Sequence, residues 1–202
     1  MKYRNRFAAA LMLCAAFVLS ISQAHAAAGA WTLTNAFKTR ILNGGAIDLD
    51  TDTIKFILLA STTNVVSGPA DCYTGGTGTA VTNELSTANG YTAGGATAAS
   101  LSISGTSTVT YDTADAVWTA SGGSIAARYV AMVDTTVASK TIIAYALLDT
   151  TPADVTATTG NTFTIGVANV FTLAQQYLFD HLYPSPMQMA ANDANYVMRK
   201  AG

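Results

Sequence analysis

Residues 141–148, TIIAYALL, decide the fold class of this chain of 202 residues. Ile142 and Ala144 occupy one set of alternate positions, and Ile143 and Tyr145 occupy the other. Successive side chains of a β-strand point to opposite faces of its sheet, so a strand that is apolar at both sets of positions has both faces covered. The segment therefore predicts a central strand.

The same period of two recurs on both sides of this segment. Residues 54–60 alternate around Phe56 and Leu58, and residues 101–104 alternate Leu and Ile with Ser. Further strands are expected at residues 106–111, 116–120, 125–134 and 162–172, with Gly, Asp, Ser and Thr between them. Many short strands at regular spacing are typical of a sandwich or barrel. We predict an all-β fold, a mainly antiparallel β-sandwich of the jelly-roll or Ig-like type, with Trp118 in its core.

A short helix near the N-terminus is the main exception to this pattern. Residues 35–43 can begin at an N-cap formed by Thr34 or by the next residue, and Gly44 is placed to end the helix. Phe37 and Ile41 lie one turn apart, so both are expected on the buried face. Weaker helical patterns occur at residues 83–89, 173–183 and 188–200.

The first 26 residues have the organisation of a signal peptide. The basic start consists of Lys2, Arg4 and Arg6. An apolar run at residues 7–21 follows, and the Ala-His-Ala of residues 24–26 predicts cleavage before Ala27. The run is shorter than the roughly 20 residues that a membrane-spanning helix needs, so cleavage is favoured over a retained anchor. We expect export to the periplasm or out of the cell, with contact to the membrane only through this transient leader.

The other end of the chain is predicted to be a separate tail. Pro184 and Pro186 mark a change from the Thr- and Gly-rich body to a segment rich in aromatic residues and Met. The predicted organisation is therefore a signal peptide at 1–26, a β-sandwich domain at 27–174 and a small, helical, aromatic tail at 175–202.

Charge argues against nucleic acid as a partner. Cleavage would remove 3 of the 10 Lys and Arg residues and leave 7 against 12 Asp and Glu, a net charge of about −5. The remaining basic residues are scattered through the body, whereas phosphate binding requires a cluster. Charged residues make up 11% of the chain, against about 25% in a typical globular domain, so Thr, Ser, Asn and Gly must keep the surface soluble.

Residues with catalytic chemistry are scarce. His181, in the tail, is the one histidine beyond the leader, and no Gly-x-Ser-x-Gly motif occurs. Residues 75–79, GGTGT, lack the Lys-Ser/Thr ending of a phosphate-binding loop and predict a flexible loop. We predict a protein that is not an enzyme, without catalytic residues, cofactor or metal.

Three weaker hypotheses remain open beside this prediction. Asp48, Asp50 and Asp52 alternate before the first long strand and suggest calcium, although the sequence lacks the Gly and Glu of an EF-hand loop. Cys72 lies in a loop expected to be exposed, so it either crosslinks two chains or remains an unpaired small residue. Aromatic residues that loops could bring together to stack on a glycan are Trp31, Tyr73, Tyr91 and Tyr111.

Three stretches carry a resemblance to a known family. They are TNAFKTRILNGGAIDLDTD (34–52), TNELSTANGYTAGGA (82–96) and WTASGGSIAARYVAM (118–132). In these stretches the chain resembles small virion proteins of tailed bacteriophages, of the tail or head-decoration type, and the resemblance extends from about Trp31 to Ala174. It implies a virion subunit that assembles with itself and with other virion proteins.

The leader favours a different use of the same domain. An exported chain would serve as a periplasmic or cell-surface structural subunit, and its partners would be copies of itself and surface proteins. A cleaved leader is hard to reconcile with capsids that assemble in the cytoplasm. The sequence therefore supports two alternatives, a virion subunit and an exported structural subunit, with glycan binding as a third.

Overall fold

β-strands make up most of the regular structure. The computed structural model describes residues 24–27, 29–45, 47–68, 70–167 and 169–174. The elements are β1 (Ala24–Ala27), β2 (Thr32–Leu33), α1 (Asn35–Leu42), β3 (Ile54–Leu59), β4 (Ala96–Thr97), β5 (Ser102–Ser104), β6 (Thr108–Asp112), β7 (Ala116–Thr119), β8 (Ile125–Ala127), β9 (Tyr129–Asp134), β10 (Ile142–Leu147), β11 (Val155–Ala157), β12 (Thr162–Gly166) and β13 (Phe171–Ala174). The predicted helical tail at 175–202 and most of the predicted leader lie outside the described residues.

The largest sheet has five strands in the order β2-β10-β9-β3-β4, and all of its neighbours are antiparallel. Strand β10 lies between β2 and β9, and both of its faces are covered, with Ile142 and Ile143 fully buried. The predicted central strand is confirmed. A strand without a polar face has no side that tolerates water, so it takes an interior position.

The two faces of this sheet belong to two separate hydrophobic clusters. Phe56 and Leu58 point into the first cluster, and Ile57 points into the second. The first cluster is shared with the smaller sheets. The second is closed by the loop after β3, which contributes Val65 and Val81. Because both faces are covered, β3 is buried at nearly every position.

Three smaller sheets pack on the first cluster. Their strand orders are β1-β12-β7, β13-β6-β5 and β11-β8, and all their pairs are antiparallel except β1 with β12. Trp118 on β7 is 7% exposed, and its ring lies 5.9 Å from that of Tyr91 and 6.4 Å from that of Phe163. The prediction that Trp118 anchors the core is confirmed, and the fold is mainly β with antiparallel sheets.

The alternation predicted for β10 is wrong at one point. Ile142 pairs with Val133 but Ala144 pairs with Met132, so one extra residue is inserted between them. Ile142 therefore belongs to the second cluster, whereas Ala144 belongs to the first together with Ile143. A β-bulge of this kind reverses the faces of all residues that follow it.

Two predicted strands are each broken into two. Residues 125–134 divide at Arg128, where the chain leaves β11 and begins to pair with β3. Residues 162–172 divide between β12 and β13, because β12 pairs with β7 and β13 pairs with β6. In the second break Asn169 has φ +60° and the backbone N–H of Val167 donates to Asp115 at 2.8 Å. The alternation of apolar residues does not indicate which sheet a segment joins.

The N-terminal helix is confirmed, with one correction. The backbone N–H of Phe37 donates to Thr34 Oγ1 at 3.1 Å, which makes Thr34 the N-cap, and Gly44 follows the helix with φ +68°. Phe37 is 3% exposed, but Ile41 is 41% exposed. The expected burial of Ile41 was wrong, because this helix of two turns is anchored through Phe37 and packs its ring against Phe171 at 6.0 Å.

The weaker helix predicted at residues 83–89 is absent from the structure. Asn83 has φ 59° and Asn89 has φ 55°, and both values lie in the left-handed region that an α-helix excludes. In the part of the chain that the structure describes, no helix has the length and apolar character needed to cross a bilayer.

Candidate functional site

In the β5-β6-β13 sheet, all of β5 and most of the described side chains of β13 are exposed. Strand β6 lies in the middle, where Tyr111 pairs with Ile103 of β5 on one side and with Phe171 of β13 on the other. Leu173 pairs with Val109 one step further along the strands. Residues 109 and 111 share a face because side chains alternate, so these five apolar residues lie on one side of the sheet.

Only part of this apolar face is covered. Tyr111 is 1% exposed, and its ring lies 5.4 Å from that of Phe171. Ile103 is 50% exposed, Leu173 is 46% exposed, and Val109 is half-buried. We call these three residues, Ile103, Val109 and Leu173, the apolar margin. The three residues share one face of the sheet, so their exposed apolar surfaces lie on the same side.

The edges of the same sheet are unprotected. Among the described strands, β5 pairs only with β6, and β13 also pairs only with β6. Natural edge strands are usually guarded by charge, by Pro or by a bulge. Ser102, Ile103 and Ser104 of β5 are all exposed and uncharged, and β13 also contains no charged residue or Pro. Both edges therefore offer backbone hydrogen-bonding groups to another chain.

Glu84 joins the long loop after β3 to the sheet. Its carboxylate accepts hydrogen bonds from Tyr73 Oη and Tyr91 Oη, each at 2.8 Å, and from the backbone N–H of Gly94 at 2.6 Å. Tyr91 Oη in turn accepts from the backbone N–H of Leu58 at 3.1 Å. Burial raises the pKa of Tyr73 to about 12 and also raises the pKa of Tyr91, so both phenols remain donors. Sequence reasoning missed Glu84, because a lone Glu in a polar loop carries no pattern.

The Glu84 network engages two of the four aromatic residues named in the glycan hypothesis, Tyr73 and Tyr91. Tyr91 and Tyr111 are 2% and 1% exposed, so neither ring is free to stack on a sugar. Tyr73 is half-buried and engaged with Glu84, while the ring of Trp31 packs 5.9 Å from that of Phe56. The structure does not bring these four aromatic residues together on a surface.

The three aspartates of the calcium hypothesis form a turn that precedes β3. The backbone N–H of Asp52 donates to the carbonyl of Asp48 at 2.8 Å, and the backbone N–H of Asp48 donates to Asp52 Oδ2 at the same distance. A hydrogen bond with Asp50 lowers the pKa of Asp48 and raises that of Asp50. In the described ranges, no group of three or more His, Cys, Asp or Glu side chains is placed to hold a metal ion.

A fourth aspartate, which sequence reasoning missed, lies next to this turn. Asp134 ends β9 opposite Ile54 and is 0% exposed. Its Oδ1 accepts from the backbone N–H of Thr136 at 2.9 Å, whereas Oδ2 is buried without a hydrogen-bond partner. Burial, with a further contribution from the charge of Asp52, raises the pKa of Asp134. A buried carboxylate is costly when ionised, so burial shifts the protonation equilibrium of Asp134 toward its neutral form.

Cys72 does not lie in an exposed loop, and that expectation was wrong. The thiol residue is 1% exposed and unpaired. Its backbone bridges to Ala80 and Thr141, which places it beneath the 73–79 loop. Burial is the main cause of its raised pKa. A crosslink to a second chain would require this segment to open, so the unpaired-residue alternative is the one that agrees with the structure.

A shallow cleft of about 500 Å³ lies beside α1. One face of the helix, including Asn35, Thr39 and Arg40, lines it opposite Asp71 and Thr77. The glycine-rich residues 75–79 form one rim as a loop. That loop is held by the neighbouring strand connection, in which Lys140 Nζ donates to the carbonyl of Thr74 at 3.1 Å.

His181 lies outside the described residues.

No family model, no curated protein and no solved structure matches this chain. Among the described residues, the apolar margin and the edge strands β5 and β13 make the β5-β6-β13 sheet the candidate functional site.

Proposed function

We propose that this chain is a non-enzymatic structural subunit that works through protein-protein contacts, as a tail or head-decoration subunit of a tailed-phage virion does. The observation that carries the proposal is the β5-β6-β13 sheet, which combines two uncharged edges that no other described strand pairs with and a partly uncovered apolar face. An edge of this kind can add a strand from a neighbouring subunit, and the apolar margin can pack against the same neighbour.

The proposed architecture is a β-sandwich. The five-stranded sheet forms one layer, and the three smaller sheets form the second layer across the first hydrophobic cluster. This arrangement supports the jelly-roll or Ig-like class, in which edge strands and loops at the rim are free for contacts. A small-angle scattering profile and an experimental structure of the assembled protein test the arrangement of layers.

The polar character of the surface also supports assembly. In the part of the chain that the structure describes, one ion pair is present, between Arg128 Nε and Asp154 Oδ1 at 2.7 Å. A surface with few charges costs little desolvation when two copies approach, and Ser and Thr side chains can hydrogen-bond across the contact. We propose that its partners are other copies of the same chain and other virion proteins.

The alternative is an exported structural subunit in the periplasm or at the cell surface. The specific observation that favours it is the leader pattern of residues 1–26, because a basic start, an apolar run and a small-residue cleavage motif rarely occur together by chance. Both alternatives share the assembly surface and differ in where the subunit is used.

Fractionation separates these two functions. Cells that express the chain with its neighbouring genes are separated into particles, periplasm and culture supernatant, and the intact mass of the chain is measured in each. Chain in purified particles, with capsid and tail genes on either side of its own gene, supports the virion function. Chain found only in periplasm or supernatant, with its N-terminus at Ala27, supports the exported alternative. A monodisperse monomer at high concentration in every fraction would contradict both.

A further inference from the structure

The N-terminal strand β1 covers an edge of the core. Residues Ala24–Ala27 pair in parallel with β12, and Ala24 lies opposite Phe163 while Ala27 lies opposite Gly166. The other edge of β12 is taken by β7. β12 is therefore an interior strand only while β1 is in place.

The strand β12 is built as an interior strand. Phe163 and Ile165 are 0% exposed, and Thr164 is 7% exposed. With both faces packed and both edges paired, its backbone N–H and carbonyl groups have little access to water. Buried backbone groups are almost always paired in folded proteins. Loss of β1 would leave the backbone groups on that edge of β12 without partners, and a different strand could pair with them.

The predicted cleavage point falls inside β1. Cleavage before Ala27 would remove Ala24, His25 and Ala26, which are three of the four residues paired with β12. The predicted cleavage site therefore lies within the same four residues that pair with β12. This step rests on the exported form of the proposed function.

We infer that removal of the leader uncovers the edge of β12 and that a strand from a second copy of this chain occupies it. In the structure this edge already binds an extended segment of this sequence, so it accepts a strand without rearrangement. Among the described strands, β5 and β13 each have one edge that no other strand pairs with, so a subunit with a vacant edge on β12 and an edge strand of its own can join to its copies.

Two chains test this inference. One is the exported protein, purified from periplasm or supernatant, with its N-terminus determined by intact mass. The other begins at residue 23 behind a single Met, so it retains β1. Light scattering gives the mass of each over a hundredfold range of concentration, and hydrogen exchange reports on the amides of β12. We expect the exported chain to begin at Ala27 and to form oligomers in which the β12 amides are protected, and the chain that retains β1 to be monomeric.

A peptide of residues 23–29 provides a second measurement on the exported protein itself. Added in excess, it should dissociate the oligomer by occupying the edge of β12, and a peptide of the same composition in scrambled order should not. This measurement does not depend on whether the longer chain folds.

Three outcomes would overturn the inference. An exported chain that keeps Ala24 never uncovers the edge. Equal assembly of the two chains, unaffected by the peptide, would place the contact elsewhere and leave the proposed assembly function standing. Monomers of both chains would contradict the inference and the proposed function together.

Discussion

Among single residues, Asp134 has the most unusual surroundings. It is fully buried, one carboxylate oxygen lacks a hydrogen-bond partner, and the carboxylate of Asp52 is near enough to raise its pKa further. A group with a raised pKa retains its proton more readily in the folded state than in the unfolded chain. Its contribution to stability is therefore present below the unfolded pKa of about 3.9 and is lost as pH rises through the folded value.

Asp134→Asn should stabilise the protein at pH 7 by roughly 1–2 kcal/mol, because the amide oxygen keeps the bond from Thr136 and the amide nitrogen, which replaces the ionisable oxygen, can donate to the neighbouring carboxylate of Asp52. The gain should shrink as pH is lowered from 7 toward 4, because protonation of the native side chain removes the charge whose burial is costly. Urea denaturation at both pH values measures the difference. Asp154→Asn, at the exposed aspartate that pairs with Arg128, is the comparison variant and should not stabilise the protein, because it weakens an exposed ion pair that contributes about 1 kcal/mol or less. Equal stability of the Asp134→Asn variant and the native protein at pH 7 would show that this carboxyl carries no burial penalty.

Tyr91 and Tyr73 make the same contact with Glu84 but at different depths. Tyr91→Phe should cost roughly 1–3 kcal/mol, because it leaves the backbone N–H of Leu58 buried without an acceptor. Tyr73→Phe removes a half-buried bond and should cost less, about 1 kcal/mol. Urea midpoints of the two variants give the comparison. An equal cost for both would mean that the bond from Leu58 contributes nothing.

The same pair predicts alkaline sensitivity. The pKa of Tyr73 is raised to about 12 in the folded protein, so the folded state holds the phenolic proton after the unfolded chain has lost it near pH 10. Stability should be unchanged below pH 10 and should fall between pH 10 and 12. Thermal melts across this range, with Tyr73→Phe as the flatter reference, measure the effect. If the native protein loses no more stability than the Tyr73→Phe variant between pH 10 and 12, Tyr73 is excluded as the cause of the alkaline sensitivity.

At the scale of elements, α1 depends on its N-cap. Thr34 Oγ1 accepts from the N–H of Phe37 and also donates to the carbonyl of Ile142, so one hydroxyl joins the helix to the central sheet. Thr34→Ala should cost about 1 kcal/mol or slightly more, the usual range for loss of a cap. The matched control is Thr39→Ala on the exposed side of the same helix, which should leave the melting temperature nearly unchanged. A similar small effect of both changes would show that the helix is held by Phe37 alone.

For the whole molecule, the prediction concerns assembly. Ile103→Lys places a charge on both the edge of β5 and the apolar margin, so it should raise the concentration needed for assembly by at least about tenfold, or about 1.4 kcal/mol, without unfolding the monomer. Leu42→Lys, at the 84% exposed end of α1, is the matched control and should assemble normally. Sedimentation velocity measures both. Normal assembly of Ile103→Lys would exclude this sheet as the contact.

Much of the β-structure was predictable because its cause is local. The alternation in residues 54–59 and the continuous apolar character of residues 142–147 follow from burial of strand faces. The N-cap and the terminal glycine of α1 follow from the needs of orphan backbone groups. Trp118 could be assigned to the core because a large ring within an alternating strand has few other places to go.

The tertiary structure alone decided how these segments are joined. The breaks at Arg128 and before β13 depend on which sheet each segment pairs with, and pairing partners are distant in sequence. Burial of Cys72 and of Asp134, and the joining of Tyr73 and Tyr91 by Glu84, arise where loops cross the sheet. Local patterns thus specify which face of a strand avoids water, whereas long-range pairing determines which residues meet and which strand edges remain free.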